Sequence, residues 1–118
     1  MLNWIALENS EQLAQIHQIS QHKACIIFKH SSRCAVSSVA KHRLESDWRL
    51  DAEIVQAYFL DVIRHRDVSN QVADQFQVWH ESPQVLLIRQ GTCVYDTSHL
   101  DITMEELKSA LREQEILP

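Results

Sequence analysis

Two apolar segments joined by a helical pattern constrain the fold of this chain more than any other feature. Ala24 to Phe28 is a continuous apolar run, and Ile54 to Ile63 is a second one, rich in β-branched and aromatic residues. Such runs are typical of strands buried on both faces of a sheet. Between them, Cys34 to Trp48 carries its apolar residues on roughly one side and predicts a helix. Strand, helix and strand in this order predict a parallel crossover unit.

One helix is predicted before this unit and one after it. Asn9 or Ser10 can cap a helix that ends near Ser20, preceded by a short extended piece at Trp4 to Leu7. After the second strand, Arg66 to Asn70 supplies capping residues for a third helix. The first half of the chain therefore alternates helices and strands.

The last third of the chain predicts an antiparallel hairpin followed by a closing helix. Gly91 is the only glycine in the chain, and it suits the turn between strands at Val85 to Ile88 and Thr92 to Tyr95, because glycine tolerates a positive φ. Thr103 and Glu106 resemble a capping box that opens the last helix. We therefore expect an α/β fold with a central mixed sheet flanked by helices.

Composition limits the classes of function. The 118 residues can bury a core without disulfides or metals, and no repeat or linker interrupts them, so we expect one domain over residues 1–118. The net charge of −5 and the scattered basic residues argue against a nucleic-acid partner. The N-terminus does not resemble a secretory signal, and no segment is long enough to cross a bilayer. We expect a cytoplasmic monomer without a membrane partner.

Cys34 is the candidate reactive residue. It lies where a polar corner, His30 to Arg33, is followed by the predicted helix. A thiol at a helix start lies in the partial positive field of unpaired backbone N–H groups, and Arg33 adds positive charge, so the thiolate is stabilised. A second cysteine three residues on would make a dithiol centre, but Ser37 occupies that position. Its hydroxyl can donate to the thiolate or bond to its own helix backbone.

The other cysteines and the histidines do not predict a metal site, and the sequence predicts no bound nucleotide. Cys25 and Cys93 lie in predicted strands and are expected to be structural, although a slow disulfide between Cys93 and a client is possible. Three cysteines argue against a disulfide framework in a reducing compartment. The seven histidines are scattered, and none pairs with a cysteine at zinc-site spacing. The chain also lacks a glycine-rich phosphate loop.

The order of elements resembles the thioredoxin fold. Pro83 lies just before the third long strand, where that fold has a cis proline against the active-site sulfur. The segments His30 to Ser37 and His80 to Gln84 resemble the monothiol bacilliredoxin family, the bacillithiol-system redox-active proteins of the YtxJ type. The resemblance covers essentially the whole chain, including Arg66 to Ser69 and Leu100 to Thr103. The family usually has proline and isoleucine after the cysteine, whereas this chain has Ala35 and Val36.

The resemblance implies a reductase of mixed disulfides between protein cysteines and bacillithiol, a small thiol that some bacteria use in place of glutathione. Bacillithiol would be the cosubstrate, and bacillithiolated proteins would be the partners. Cys34 would carry out the exchange, and the backbone of Ser82 beside Pro83 would pair with an extended substrate. His80 and Glu81 lie in the same loop and are further candidates for substrate binding.

Two other functions use the same cysteine. A non-catalytic protein could carry an iron–sulfur cluster between two subunits, with Cys34 and an external thiol as ligands. A redox sensor would be modified at Cys34 without turnover. These alternatives differ from the reductase in what happens to Cys34 after it has reacted.

Overall fold

The computed structural model describes residues 2–118 and contains a five-stranded sheet with helices on both faces. The strands are β1 (Ile5–Ala6), β2 (Ala24–His30), β3 (Val55–Asp61), β4 (Gln84–Arg89) and β5 (Thr92–Ser98). The helices are α1 (Ser10–Ile19), α2 (Ala35–Asp47), α3 (Arg66–Phe76) and α4 (Met104–Glu113), with a 3₁₀ turn at His99–Asp101.

The sheet has the strand order β1-β3-β2-β4-β5. β1, β3 and β2 are parallel, whereas β4 runs antiparallel to β2 and β5 antiparallel to β4. The predicted crossover unit is therefore β2-α2-β3, and the predicted hairpin is β4-β5. This arrangement confirms the expected mixed sheet flanked by helices.

β2 lies at the centre of the sheet, and its residues serve both layers of the core. Ala24, Ile26 and Phe28 pack with α2 and α4 on one face, while Cys25 and Ile27 pack with α1 and α3 on the other. Every residue of the strand is buried. Fully burying an aliphatic or aromatic side chain contributes roughly 1.5–3 kcal/mol, which explains why this segment is a continuous apolar run.

The expected polar corner after β2 was placed too early. Lys29 and His30 continue the strand, paired with Leu60 and Asp61 of β3, and both are buried. Their polar atoms find partners inside the protein, so they need not face solvent. The corner therefore begins at Ser31.

Two expectations around the second strand were also wrong. β3 ends at Asp61 rather than Ile63, because the Asp61 carboxylate accepts the backbone N–H groups of Ile63 and Arg64 and starts a turn. Arg66 to Asn70 does not cap α3 but forms its first turns. The N-cap is His65, which makes no side-chain capping bond. The helix continues directly from the preceding turn, in which the Asp61 carbonyl accepts the His65 N–H.

The other caps and the hairpin turn agree with the sequence. Asn9 caps α1 through a complete capping box with Gln12, and the Thr103 hydroxyl accepts the Glu106 N–H at the start of α4. Gly91 has a φ of 75°, as the predicted turn requires. No helix within residues 2–118 is long and apolar enough to cross a membrane.

Candidate active site

Cys34 occupies the N-cap position of α2, and its side chain is half-buried. Its carbonyl accepts the first hydrogen bonds of the helix, from the backbone N–H groups of Ser37 (3.1 Å) and Ser38 (3.3 Å). The first turn of α2 contains no acidic residue. No carboxylate of that turn therefore opposes the partial positive charge of the helix start. The thiol is free and makes no capping hydrogen bond.

Arg33 precedes this thiol and is exposed. Its backbone N–H donates to the Ser31 hydroxyl at 3.3 Å. Its guanidinium makes no ion pair or hydrogen bond with the residues that the structure describes. Among residues 2–118, no carboxylate thus neutralises the positive charge expected from the sequence.

Ser37 is fully buried, and its hydroxyl is engaged within the protein. It accepts the backbone N–H of Ser31 at 3.0 Å and lies 2.7 Å from His30 Nδ1. No hydrogen bond from this hydroxyl to the Cys34 sulfur is present in the described structure. The contacts of Ser37 close the turn from Ser31 to Cys34, so they support the position of the thiol through the backbone.

His30 is a site residue whose role the sequence reasoning missed. Its ring lies 5.2 Å from the Phe59 ring and 5.8 Å from the Phe28 ring, measured between centroids. Burial, followed by the charge of Lys41, lowers the pKa of His30 and keeps the imidazole neutral. The alternation of Ile26, Phe28 and His30 towards α2 was a signal that the strand continued to this residue.

The other two cysteines lie in strands, as predicted. Cys25 is fully buried, and burial raises its pKa to about 11. Burial likewise raises the pKa of Cys93 to about 11, and its sulfur lies 3.3 Å from the Tyr95 carbonyl oxygen. All three cysteines are free. Because the thiolate is the nucleophile, Cys25 and Cys93 are poor candidates for exchange at neutral pH.

The turn that carries Cys34 and the loop that contains Pro83 lie at the same end of the paired strands β2 and β4. Lys29 near the end of β2 pairs with Gln84 at the start of β4. Cys34 follows β2, and Pro83 precedes β4, so the two segments leave the sheet together. The Ser82–Pro83 peptide bond is cis, as the resemblance implied. Pro83 is buried, and its carbonyl accepts the His99 N–H at 3.1 Å.

The residues before Pro83 differ in their surroundings. The Ser82 hydroxyl is buried and has no hydrogen-bond partner among the described residues. The Glu81 carboxylate lies 3.3 Å from His99 Nε2. His80 is exposed, but its Nδ1 lies 3.1 Å from Lys29 Nζ. The loop thus contains one free buried hydroxyl and two side chains with defined partners.

Lys29 and Gln84 hold this loop from inside the protein, which the sequence did not indicate. Both side chains are buried. Besides its contact with His80, Lys29 donates to the Ser69 carbonyl at 3.1 Å. The Gln84 amide donates to the Trp79 carbonyl at 2.9 Å. In the sequence, the two residues are visible only as polar positions next to apolar runs.

The described residues contain no cluster of three His, Cys, Asp or Glu side chains arranged to hold a metal ion. The candidate reactive group of the site is a thiol at a helix start. It lies at the same sheet edge as a loop with a cis proline, and a buried serine stands three residues after it. This arrangement fits thiol exchange by one cysteine.

Solved structures with similar folds include a protein described as a candidate oxidoreductase with a thioredoxin fold. It is 30% identical, with a TM-score of 0.75, and the match covers 90% of this chain and 91% of that chain. Thioredoxin f2 of Chlamydomonas reinhardtii is 13% identical, with a TM-score of 0.74 over 98% of this chain and 100% of that one. A thioredoxin of Malassezia sympodialis is 15% identical, with a TM-score of 0.74 over 94% and 90%. These structures confirm the thioredoxin-like fold.

The family model for monothiol bacilliredoxin BrxC matches residues 5–107. The matched range includes the Cys34 turn and the Pro83 loop described above. Both the fold and the matched family support a thiol redox protein. This chain belongs to the monothiol bacilliredoxin family.

Proposed function

We propose that this protein reduces mixed disulfides between bacillithiol and the cysteines of client proteins, with Cys34 as the reacting residue. The observation that carries the proposal is the half-buried thiol at the N-cap of α2, with a buried serine at the position of a second cysteine. A lone thiol can exchange with a disulfide but cannot form an internal disulfide with a neighbour. Such a protein needs a thiol from outside to complete its cycle.

The first step is attack by the Cys34 thiolate on the bacillithiol sulfur of the mixed disulfide. A bond forms between Cys34 and bacillithiol, and the original disulfide bond breaks. The client leaves as a thiolate, which takes a proton from water. The client cysteine is thereby reduced, and Cys34 now carries the bacillithiol group.

The second step uses another small thiol as the cosubstrate. Its thiolate attacks the bacillithiol sulfur of the adduct and releases Cys34 as a thiolate. The product is a disulfide between the two small thiols, and no bound metal or nucleotide takes part. Because the reaction needs free thiols, we expect it to take place in the cytoplasm.

The loop before Pro83 is proposed to bind the substrate. An extended client segment can pair with the Ser82 backbone at the edge of the sheet, next to the turn that carries Cys34. His80, Glu81 and the exposed Arg33 offer polar side chains around this position. Ser37 supports the thiol indirectly, through the turn that it closes.

The test compares one model protein carrying bacillithiol or glutathione on the same cysteine. We expect faster reduction of the bacillithiol adduct by the wild-type protein and loss of turnover in Cys34→Ser. Cys93→Ser is the matched control and should keep its activity, because Cys93 lies outside the proposed site. Retained activity in Cys34→Ser, or no reduction of either adduct, would contradict the proposal.

The same experiment separates the alternatives. A Cys34 adduct that forms but is not released by added bacillithiol would indicate a sensor. A brown protein after anaerobic expression, with colour lost in Cys34→Ser, would indicate a cluster carrier. We expect a colourless protein whose adduct is cleared within the turnover time.

A further inference from the structure

Lys29 is a buried cation near the end of the central strand. Its side chain is fully buried, and β2 is paired on both sides at this position. Within residues 2–118, no carboxylate lies within 4 Å of its Nζ. A buried charge without a counterion is unfavourable unless hydrogen bonds compensate it. Hydrogen-bond partners must therefore compensate the charge of this ammonium group.

The ammonium joins three separate parts of the fold. Nζ donates to the carbonyl of Ser69 in α3 at 3.1 Å, and it lies 3.1 Å from Nδ1 of His80 in the loop before Pro83. The Ser69 hydroxyl lies 3.3 Å from the same His80 nitrogen. Lys29 thus connects the strand that leads to Cys34 with the substrate loop.

The contact determines the state of the His80 ring. An ammonium group has donors only, so Nδ1 must accept, and the proton of the neutral ring is carried by Nε2. Partial burial of the ring lowers the pKa of His80, and the charges of Lys29 and Arg66 lower it further, while Glu81 opposes them. The ring is therefore neutral at pH 7, and its Nε2–H has no partner among the described residues.

A second buried side chain restrains the residues on either side of His80. Gln84 pairs with Lys29 in the sheet, and its amide donates to the Trp79 carbonyl at 2.9 Å. Its side-chain oxygen accepts the Glu81 N–H at 3.4 Å. The backbone around His80 is thus held at two points, and the ring itself is held at Nδ1 by Lys29, with the Ser69 hydroxyl beside it.

The charges around the ring favour an electron-rich acceptor. Lys29 and Arg66 are the cations that act on His80, and the one opposing carboxylate, Glu81, lies 3.3 Å from His99 Nε2. A hydrogen-bond donor in such surroundings suits a carboxylate or carbonyl oxygen.

We propose that Lys29 is a positioning residue that holds His80 as an Nε2–H donor for an oxygen of the small-thiol half of the mixed disulfide. This inference rests on the proposed function. Client proteins differ in sequence around their cysteines, whereas the small thiol is the same in every substrate. A donor with a fixed direction therefore suits the small thiol, which is the constant half of the substrate. Backbone pairing at Ser82 suits the client protein, which is the variable half.

The first test reads the His80 ring directly and needs no activity. The ¹⁵N resonances of the ring are assigned by their loss in His80→Ala. At pH 7.5 we expect a protonated Nε2 and an unprotonated Nδ1 in the wild type. In Lys29→Met, which keeps the side-chain length but removes the donor, we expect a mixture of tautomers and a higher pKa for His80. A wild-type ring protonated on Nδ1 would overturn the proposal.

The matched control is Lys23→Met. Lys23 precedes the same strand at its other end and donates to the Ala52 carbonyl at 3.0 Å. Its removal deletes an ammonium-to-carbonyl bond of the same kind, far along the strand from His80. We expect unchanged His80 resonances in this variant. An equal shift in Lys23→Met and Lys29→Met would mean a general effect of lost charge and would overturn the proposal.

The second test asks which half of the substrate the donor binds. A model protein carries either bacillithiol, which has carboxylate and carbonyl oxygens, or cysteamine, which has neither. Loss of one hydrogen bond to a charged group should raise the KM for the bacillithiol adduct roughly tenfold in His80→Ala and in Lys29→Met. The KM for the cysteamine adduct should rise much less in both variants, and the double variant should have the same KM for the bacillithiol adduct as the single ones.

The outcomes distinguish this inference from the proposed function. If the wild type reduces neither adduct, the proposed function fails, while the resonance experiment still decides the role of Lys29. Equal losses on both adducts would reveal a purely structural role and overturn the binding role of His80. If Lys29→Met does not fold, the wild-type tautomer and the exposed His80→Ala variant decide the question.

Discussion

Ser37 illustrates how one residue can define the type of thiol chemistry and also support the site structurally. Its position three residues after Cys34 excludes a local resolving cysteine. Its buried hydroxyl, however, is bound to the Ser31 N–H and to His30 rather than to the sulfur. The expected direct bond to the thiolate is therefore replaced by support of the turn. Replacement of Ser37 should therefore affect the stability of the fold more than the reactivity of the Cys34 thiol.

We predict that Ser37→Ala lowers the free energy of unfolding by about 1–3 kcal/mol, because a half-buried N–H and a buried imidazole nitrogen lose their partner. Urea unfolding measures this loss. The exposed neighbour Ser38 provides the control, and Ser38→Ala should change stability by less than about 0.5 kcal/mol. A Ser37→Ala protein of wild-type stability whose Cys34 is alkylated more slowly by iodoacetamide would instead favour direct contact with the sulfur.

At the scale of elements, β2 connects the core to the site. Its first five residues fill both hydrophobic layers, and its last two carry a buried lysine and a buried histidine to opposite faces. Lys29 bonds to α3 and His30 bonds to α2. Through these two bonds, the end of β2 that precedes Cys34 is connected to a helix on each face of the sheet.

Burial lowers the pKa of Lys29 to about 8, against 10.5 for an ordinary lysine. Between these values the unfolded chain binds more protons than the folded one, so the Lys29 contribution to stability rises with pH. We predict that the wild type gains stability relative to Lys29→Met from pH 8 to 10.5, by about 2 to 3 kcal/mol. Denaturant unfolding at several pH values measures the difference.

The comparison with Lys29→Met is needed because other groups titrate in the same range. The raised pKa values of Cys25 and Cys93 act in the opposite direction, since their buried thiols must lose protons as the chain unfolds. That effect is common to both proteins and cancels in the difference. A difference that does not change with pH would contradict the assigned state of Lys29.

At the scale of the whole molecule, the fold places three chemically equal cysteines in different surroundings. Cys25 is fully buried in the central strand, and the Cys93 thiol is kept protonated by burial in the hairpin. Cys34 alone lies at a helix start at the edge of the sheet. We therefore expect the fold to make the thiols differ in reactivity.

We predict that native protein treated with bacillithiol disulfide takes up one adduct, on Cys34, whereas protein unfolded in urea takes up adducts on all three cysteines. Mass spectrometry of the intact protein and of its peptides measures the number and the position. Cys34→Ser should take up none in the native state. An adduct on native Cys93 at a similar rate would indicate that the hairpin does not protect it.

The elements of the fold were predictable because each has a local cause. Buried strands appear as apolar runs, Asn9 and Thr103 cap their helices, and Gly91 allows the hairpin turn. One error arose at the end of β2, where the polarity of Lys29 and His30 indicated a turn. There, the Ser69 carbonyl and the Ser37 hydroxyl satisfy the polar atoms of the two side chains, and the strand continues.

The sequence by itself determined the strand and helix order, the family resemblance and the presence of one cysteine at a helix start without a second cysteine nearby. These properties depend on residue type and short spacing, which can be read along the chain. Only the tertiary structure decided that Ser37 binds His30 and that Lys29 reaches His80. The Lys29–His80 contact joins residues 51 positions apart, and the pairing of β2 with β4 brings them together.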